Sequence, residues 1–130
     1  MFEINLLAVL AATLGSFMLG GLWYSKLAFF NVWMRESGYK EENAFHPARV
    51  FGVSFVCSLI AAVAFALALG PAPELLEALT KGLIVGVCFV ATSFGINYQF
   101  ATRSLQLLLI DSGYHTAQFA LFGLVLGIWH

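Results

Sequence analysis

Asp111, His115 and Gln118 stand at positions i, i+4 and i+7 of the stretch LLLIDSGYHTAQFALFGLVLGIW. At 100° per residue these three share one face of a helix, with Phe122 continuing the stripe. A carboxylate and an imidazole one turn apart are the parts of a proton relay. The same stretch is otherwise Leu, Ile, Phe, Ala and Val, the composition of a membrane span. A carboxylate costs at least about 2.5–3.5 kcal/mol at the centre of a spanning helix, so the stripe must turn away from lipid.

Two uses of Asp111 follow from its chemistry. It is a proton or cation site, or it forms an ion pair with Arg103 that clamps the helix to the preceding hairpin. Burial would raise its pKa and Arg103 would lower it. Asp111 falls about 9 Å below the start of its helix, within reach of a snorkelling arginine. His115 is read either as the relay partner or as an imidazole bonded to the third apolar segment. On that segment Gly82, Gly86, Ser93 and Asn97 share a face at helical spacing. Asn97 therefore joins Asp111, His115, Tyr114, Gln118 and Arg103 in the candidate site. For Asn97, Ser93 and Gln118 the simpler expectation is hydrogen bonding between helices, each bond worth about 1 kcal/mol or less.

The elements that must hold these residues are read from composition. Of 130 residues 61% are hydrophobic and 10% charged, against about 25% charged in a soluble domain. So few charges cannot solvate the outside of a soluble fold this small. A span needs about 20 mainly apolar residues. Segments 4–24, 48–69, 75–100 and 105–129 meet that length. The fold expected is an all-α integral membrane protein, one domain over residues 1–130, built as a four-transmembrane-helix bundle. Between the first two spans, LAFFNVWMRESG is amphipathic and aromatic, which predicts a short interfacial helix ended by Gly38. The first apolar run follows Glu3 with no Lys or Arg before it, so it reads as a stable span and not as a signal peptide.

Charge orients the bundle. Lys26, Arg35, Lys40, Arg49 and Arg103 belong to the first and third connections, while the other side carries Lys81. By the positive-inside rule the first and third connections are cytoplasmic and both termini outside. Trp23, Tyr24, Trp33 and Trp129 fall at the predicted boundaries as interface anchors. Small residues form packing stripes: Gly82 and Gly86 with Ser93, and Ala8, Ala12 and Gly15 on the first span. If the protein moves anything, four such helices leave little internal volume, and a homo-oligomer is expected, joined by the small faces of the first two spans.

Several classes are excluded. Net charge is −1, with no basic stripe for nucleic acid. Cys57 and Cys88 lie in apolar runs and read as small core residues. With His46 and His130 far from them, no Cys/His set has metal-ligand spacing, and no cofactor motif is present. No nucleophile–base constellation or phosphate loop points to an enzyme. Two functions remain: a small channel or proton-linked transporter working through Asp111, or a structural or adaptor protein that scaffolds partners or binds lipid.

One resemblance spans nearly the whole chain. GLWYS (Gly21 to Ser25), Trp33-Met34, the Asn97-Tyr98-x-Phe100 run, Gly113-Tyr114 and the closing Gly127-x-Trp129 resemble a bacterial membrane family known as domain of unknown function 1761. The proline usual in that family after Tyr-Ser is Lys26 here. The resemblance implies a four-helix inner-membrane protein and carries no activity with it.

Overall fold

The computed structural model describes residues 3–130; Met1 and Phe2, the start of the non-basic N-terminal stretch, lie outside the described residues. The described chain is helical, without strands. Helix α1 covers Leu6–Trp23, α2 Phe30–Ser37, α3 Pro47–Leu69, α4 Leu75–Phe100 and α5 Leu105–Ile128. The ends follow local chemistry. Asn5 and Ser104 accept from the amides of Ala8 and Leu107 and so cap α1 and α5. Pro47 opens α3 at a position whose N–H would have no helical partner. Gly38 ends α2 in the left-handed conformation, at φ 69°. The turn after Ser25 forms without a proline: the amides of Ala28 and Phe30 both donate to the Ser25 carbonyl.

Three helices, α1, α3 and α4, are long and apolar enough to cross a membrane. The fourth long helix, α5, is not among them, because Asp111, His115 and Gln118 lower its hydropathy. It is instead the central helix. Nine of its residues are buried, against five on α1 and four on α3. Its polar face is enclosed by its neighbours.

Glycine decides how closely α4 approaches α5. A Cβ on Gly82 would overlap the Phe119 carbonyl, and one on Gly86 would sit 2.6 Å from Thr116 Cα. From the other side, Gly123 abuts the Ala78 carbonyl, and a Cβ on Gly127 would lie 2.9 Å from Leu75 Cα. Two pairs of glycines thus interlock two backbones, the close approach that small-residue stripes permit. Against this pair lie Ala8, Val9 and Ala12 of α1 and Ala62, Phe65 and Ala66 of α3, all buried. Of the small faces of the first two spans, Ala8, Ala12 and Ala62 are 0% exposed and pack inside the chain, whereas Ser54 of α3 is exposed.

Two features depart from ideal helix geometry. In α4 the stretch Val85–Ala91 is π-helix, with bonds from i to i+5 in place of i to i+4. The extra residue rotates everything after it relative to the Gly82–Gly86 face. In α3 the buried residues, Ala62, Phe65, Ala66 and Leu69, all lie in the second half, while the first half has none, with Phe51 64% and Val53 58% exposed. Phe17 of α1 and Phe55 of α3 stack with ring centres 5.8 Å apart where the two helices diverge. Cys57 and Cys88 are free and exposed, not core residues, because they lie on the outer faces of α3 and α4.

Replacing Gly82 with Ala is expected to cost about 1–3 kcal/mol through overpacking against the α5 backbone. Gly95→Ala, at a helical site where an added methyl meets nothing within 4 Å, is expected to be neutral or stabilising by up to about 1 kcal/mol. Thermal unfolding of the two variants in one detergent checks the contrast.

Candidate functional site

The site lies where the C-terminal ends of α1 and α4 meet the first turns of α5. Asp111 is half-buried, and two phenols reach it from different helices. The Tyr24 hydroxyl donates to Oδ1 at 2.7 Å, and the Tyr98 hydroxyl donates to Oδ2 at 2.5 Å. Each carboxylate oxygen is thus held by a separate element. Hydrogen bonds to a charged acceptor are worth about 1.5–3 kcal/mol in soluble proteins, more than those between neutral groups.

Arg103 does not join them. Its guanidinium donates to the Ser37 carbonyl at 2.9 Å, at the C-terminal end of α2, where a cation meets the negative end of the helix. Arg35 of α2 in turn reaches the Gln106 side chain at 3.3 Å and pairs with its neighbour Glu36 at 3.1 Å. The Ser104 hydroxyl and the Arg35 guanidinium hold the Glu36 carboxyl below the usual carboxylate range. The first and third connections therefore meet at one end of the bundle, tied by polar contacts outside the Asp111 cluster.

Asn97 and Ser93 are exposed and stand apart from the cluster. Continuing the Gly82–Gly86 face at 100° per residue leads to Ser93 and Asn97; the π turn shifts that face by about one residue, to Phe94 and Tyr98. Tyr98 then reaches Asp111, and Phe94 stacks on His115 with ring centres 5.2 Å apart. Tyr98 is the partner of Asp111 that helical spacing alone does not select; its signals in the sequence are its place beside Asn97 and in the Asn97-Tyr98-x-Phe100 run.

Tyr24 and Trp23 do more than mark a boundary. Besides the bond from Tyr24 to Asp111, the Trp23 indole N–H donates to the Ile110 carbonyl at 2.9 Å. The Trp23 ring covers Gly113, where a Cβ would come within 3.1 Å of it. Trp33 packs edge-on against Tyr24 at 6.0 Å between ring centres, so α2 leans on the same cluster. Trp129, at the far end of α5, is 45% exposed and takes no part.

The rest of the α5 stripe is satisfied locally. Tyr114 donates to the Ser16 carbonyl at 2.9 Å, and its ring lies 5.7 Å from that of Tyr24. His115 Nδ1 lies 2.8 Å from Gln118 Oε1, and Gln118 Nε2 donates to Ser58 Oγ at 3.4 Å. His115 thus bonds within its own helix and, through Gln118, toward α3. Ser112 and Thr116 return their hydroxyls to carbonyls one turn back. No buried side-chain nitrogen or oxygen among the described residues lacks a partner. The described residues also hold no group of three His, Cys, Asp or Glu side chains placed to bind a metal ion.

Beside the cluster, α1, α3 and α5 line a half-open cleft of about 610 Å³, with Gly20 and Tyr24 at the end of α1, Val50, Ser54 and Ser58 on α3, and His115 and Gln118 on α5. It occupies the space left where α3 diverges.

One family matches the chain: "Protein of unknown function (DUF1761)", over residues 7–127. The chain belongs to that family. Comparison with curated proteins and with solved structures gave no match.

Tyr24→Phe and Tyr98→Phe each remove one donor from Asp111 and leave ring packing in place. Each is expected to lower stability by about 1–2 kcal/mol, and the two losses to be coupled, since both bonds share one carboxylate. Arg103→Ala is expected to spare the cluster and to loosen α2. Chemical unfolding of the single and double variants measures the first, and proteolysis near Ser37 the second.

Proposed function

We propose that this member of the DUF1761 family is a four-span protein of the bacterial inner membrane that works by binding or scaffolding within the bilayer, with Asp111 as a structural tie and not as a proton carrier. The observation that carries the reading is the doubly capped carboxylate. Both Asp111 oxygens accept from phenols of other helices, so the group joins three segments at one point. A carrier built on Asp111 needs that carboxyl to exchange its partners during turnover. Releasing either phenol would separate an end of α1 or α4 from α5.

Four spans are supported by helix length and by enclosure. α5 has 24 residues, about 36 Å at 1.5 Å per residue, enough for a bilayer core. Its lower hydropathy fits a central span whose polar face is covered by the other three. The exposed apolar residues of α1, α3 and α4 then face lipid. The excess of Lys and Arg in the first and third connections supports a cytoplasmic α2 and hairpin with both termini outside. On that side α2, lying across the bundle end with Trp33 against Tyr24, suits an interfacial helix and the contact point for a partner.

A proton-linked carrier is the second reading, favoured by the cleft that reaches His115. The two are separated by Asp111→Asn in liposomes. The binding reading expects proton flux through the wild-type protein equal to that of protein-free vesicles, and a variant that is less stable by about 1–3 kcal/mol. Flux that Asp111→Asn abolishes while the melting temperature holds would establish transport.

A further inference from the structure

We infer that the cleft between α1, α3 and α5 is a binding site for an uncharged lipid carrying a hydroxyl group at its polar end, which enters sideways from the bilayer. The inference deepens the membrane-binding reading above and rests on it.

The lining supports the chemistry. It contains no Lys, Arg, Asp or Glu, so it offers nothing to neutralise an ionised headgroup. Its walls are Phe17, Val50, Phe51, Val53 and glycine surface, which suit an acyl or isoprenoid chain. Its base is polar and ordered. Gln118 is 3% exposed, and its amide is oriented by donating to Ser58 while its oxygen faces His115. His115 then donates from Nδ1, which in the neutral ring leaves Nε2 as an acceptor. Ser58 accepts from Gln118 and keeps its own proton to give. Among the described residues neither His115 Nε2 nor the Ser54 hydroxyl has a partner. The residues that line the cleft thus include both an acceptor and donors. A hydroxyl answers both: it donates to His115 Nε2 and accepts from Ser58 or Ser54. A carboxylate or phosphate supplies only acceptors, and a simple ester has no proton to give.

Size and access agree. A volume of about 610 Å³ falls within the range of sites that take drug-sized ligands. From Val50 to Ser58 the α3 wall rises about 12 Å, enough for a head and the first part of a chain. The rest of the chain would leave past Val56 and Ile60, which are 54% and 63% exposed one turn apart on α3 and do not line the cleft.

The test uses the full chain purified in a mild detergent and three probes that share one acyl chain: 1-monooleoylglycerol, methyl oleate and oleate. Resistance of the protein to alkaline carbonate extraction from membranes is established first, so a failure of the membrane reading is seen separately. 1-Monooleoylglycerol at saturation is expected to raise Tm by at least about 4 °C, and methyl oleate and oleate by much less. Ser58→Ala and His115→Phe are each expected to weaken binding about 3- to 10-fold. Ser54→Trp, on the exposed half of α3 where folding is not at stake, is expected to fill the cleft and abolish the response. An equal response to all three probes would overturn the inference. So would a monooleoylglycerol response that survives Ser54→Trp, or a second copy of the chain closing the cleft with no probe response.

Discussion

A carboxylate with two phenols, each from a different helix, is the interaction on which the end of this bundle depends. Asp111 is half-buried, where loss of water would penalise its charge, and the penalty is met by Tyr24 on one oxygen and Tyr98 on the other. Because the donors come from α1 and α4, satisfying one charge also fixes two helix ends against a third. The neighbouring bonds repeat the theme with neutral groups. Trp23 closes on Ile110 and Tyr114 on Ser16, so α1 and α5 are tied at three levels beside one another.

The opposite half of the molecule is held by a different force. There the glycines of α4 and α5 bring two backbones into contact, and alanines of α1 and α3 fill the flanks. Dispersion between closely packed backbones needs no polar partner and suits a setting in which lipid competes poorly for small grooves. The two halves leave α3 with a choice only at one end. It is anchored by Ala62, Phe65 and Ala66, and diverges beyond the Phe17–Phe55 stack. The cleft is the direct result of combining a glycine-tight half with a phenol-tied half around a helix that belongs to the first alone.

Much of this was legible in the residues. Helix extents follow apolar length and the glycine that ends α2 at Gly38, whereas the caps at Asn5 and Ser104 are seen in the fold. The Gly82–Gly86 stripe meets α5 as its spacing suggests. The partners of Asp111 were not legible, for two physical reasons. A π turn leaves no mark in VGVCFVA, yet it moves the inward face from Asn97 to Tyr98. A tyrosine at the end of a span satisfies an interfacial role and a buried hydrogen bond equally well, and only the fold distinguishes them. Arg103 illustrates the converse: nearness in sequence to Asp111 suggested an ion pair, but the end of α2 offered its carbonyl in a better position.

The central claim is that Asp111 holds the ends of α1 and α4 to α5 at once. Hydrogen–deuterium exchange of the Asp111→Ala variant in lipid tests it most directly. The account expects faster exchange together in the peptides that carry Tyr24 and Tyr98, with the glycine-packed half around Gly82 and Gly123 unchanged. Exchange that rises only around position 111 itself, or nowhere, would contradict it.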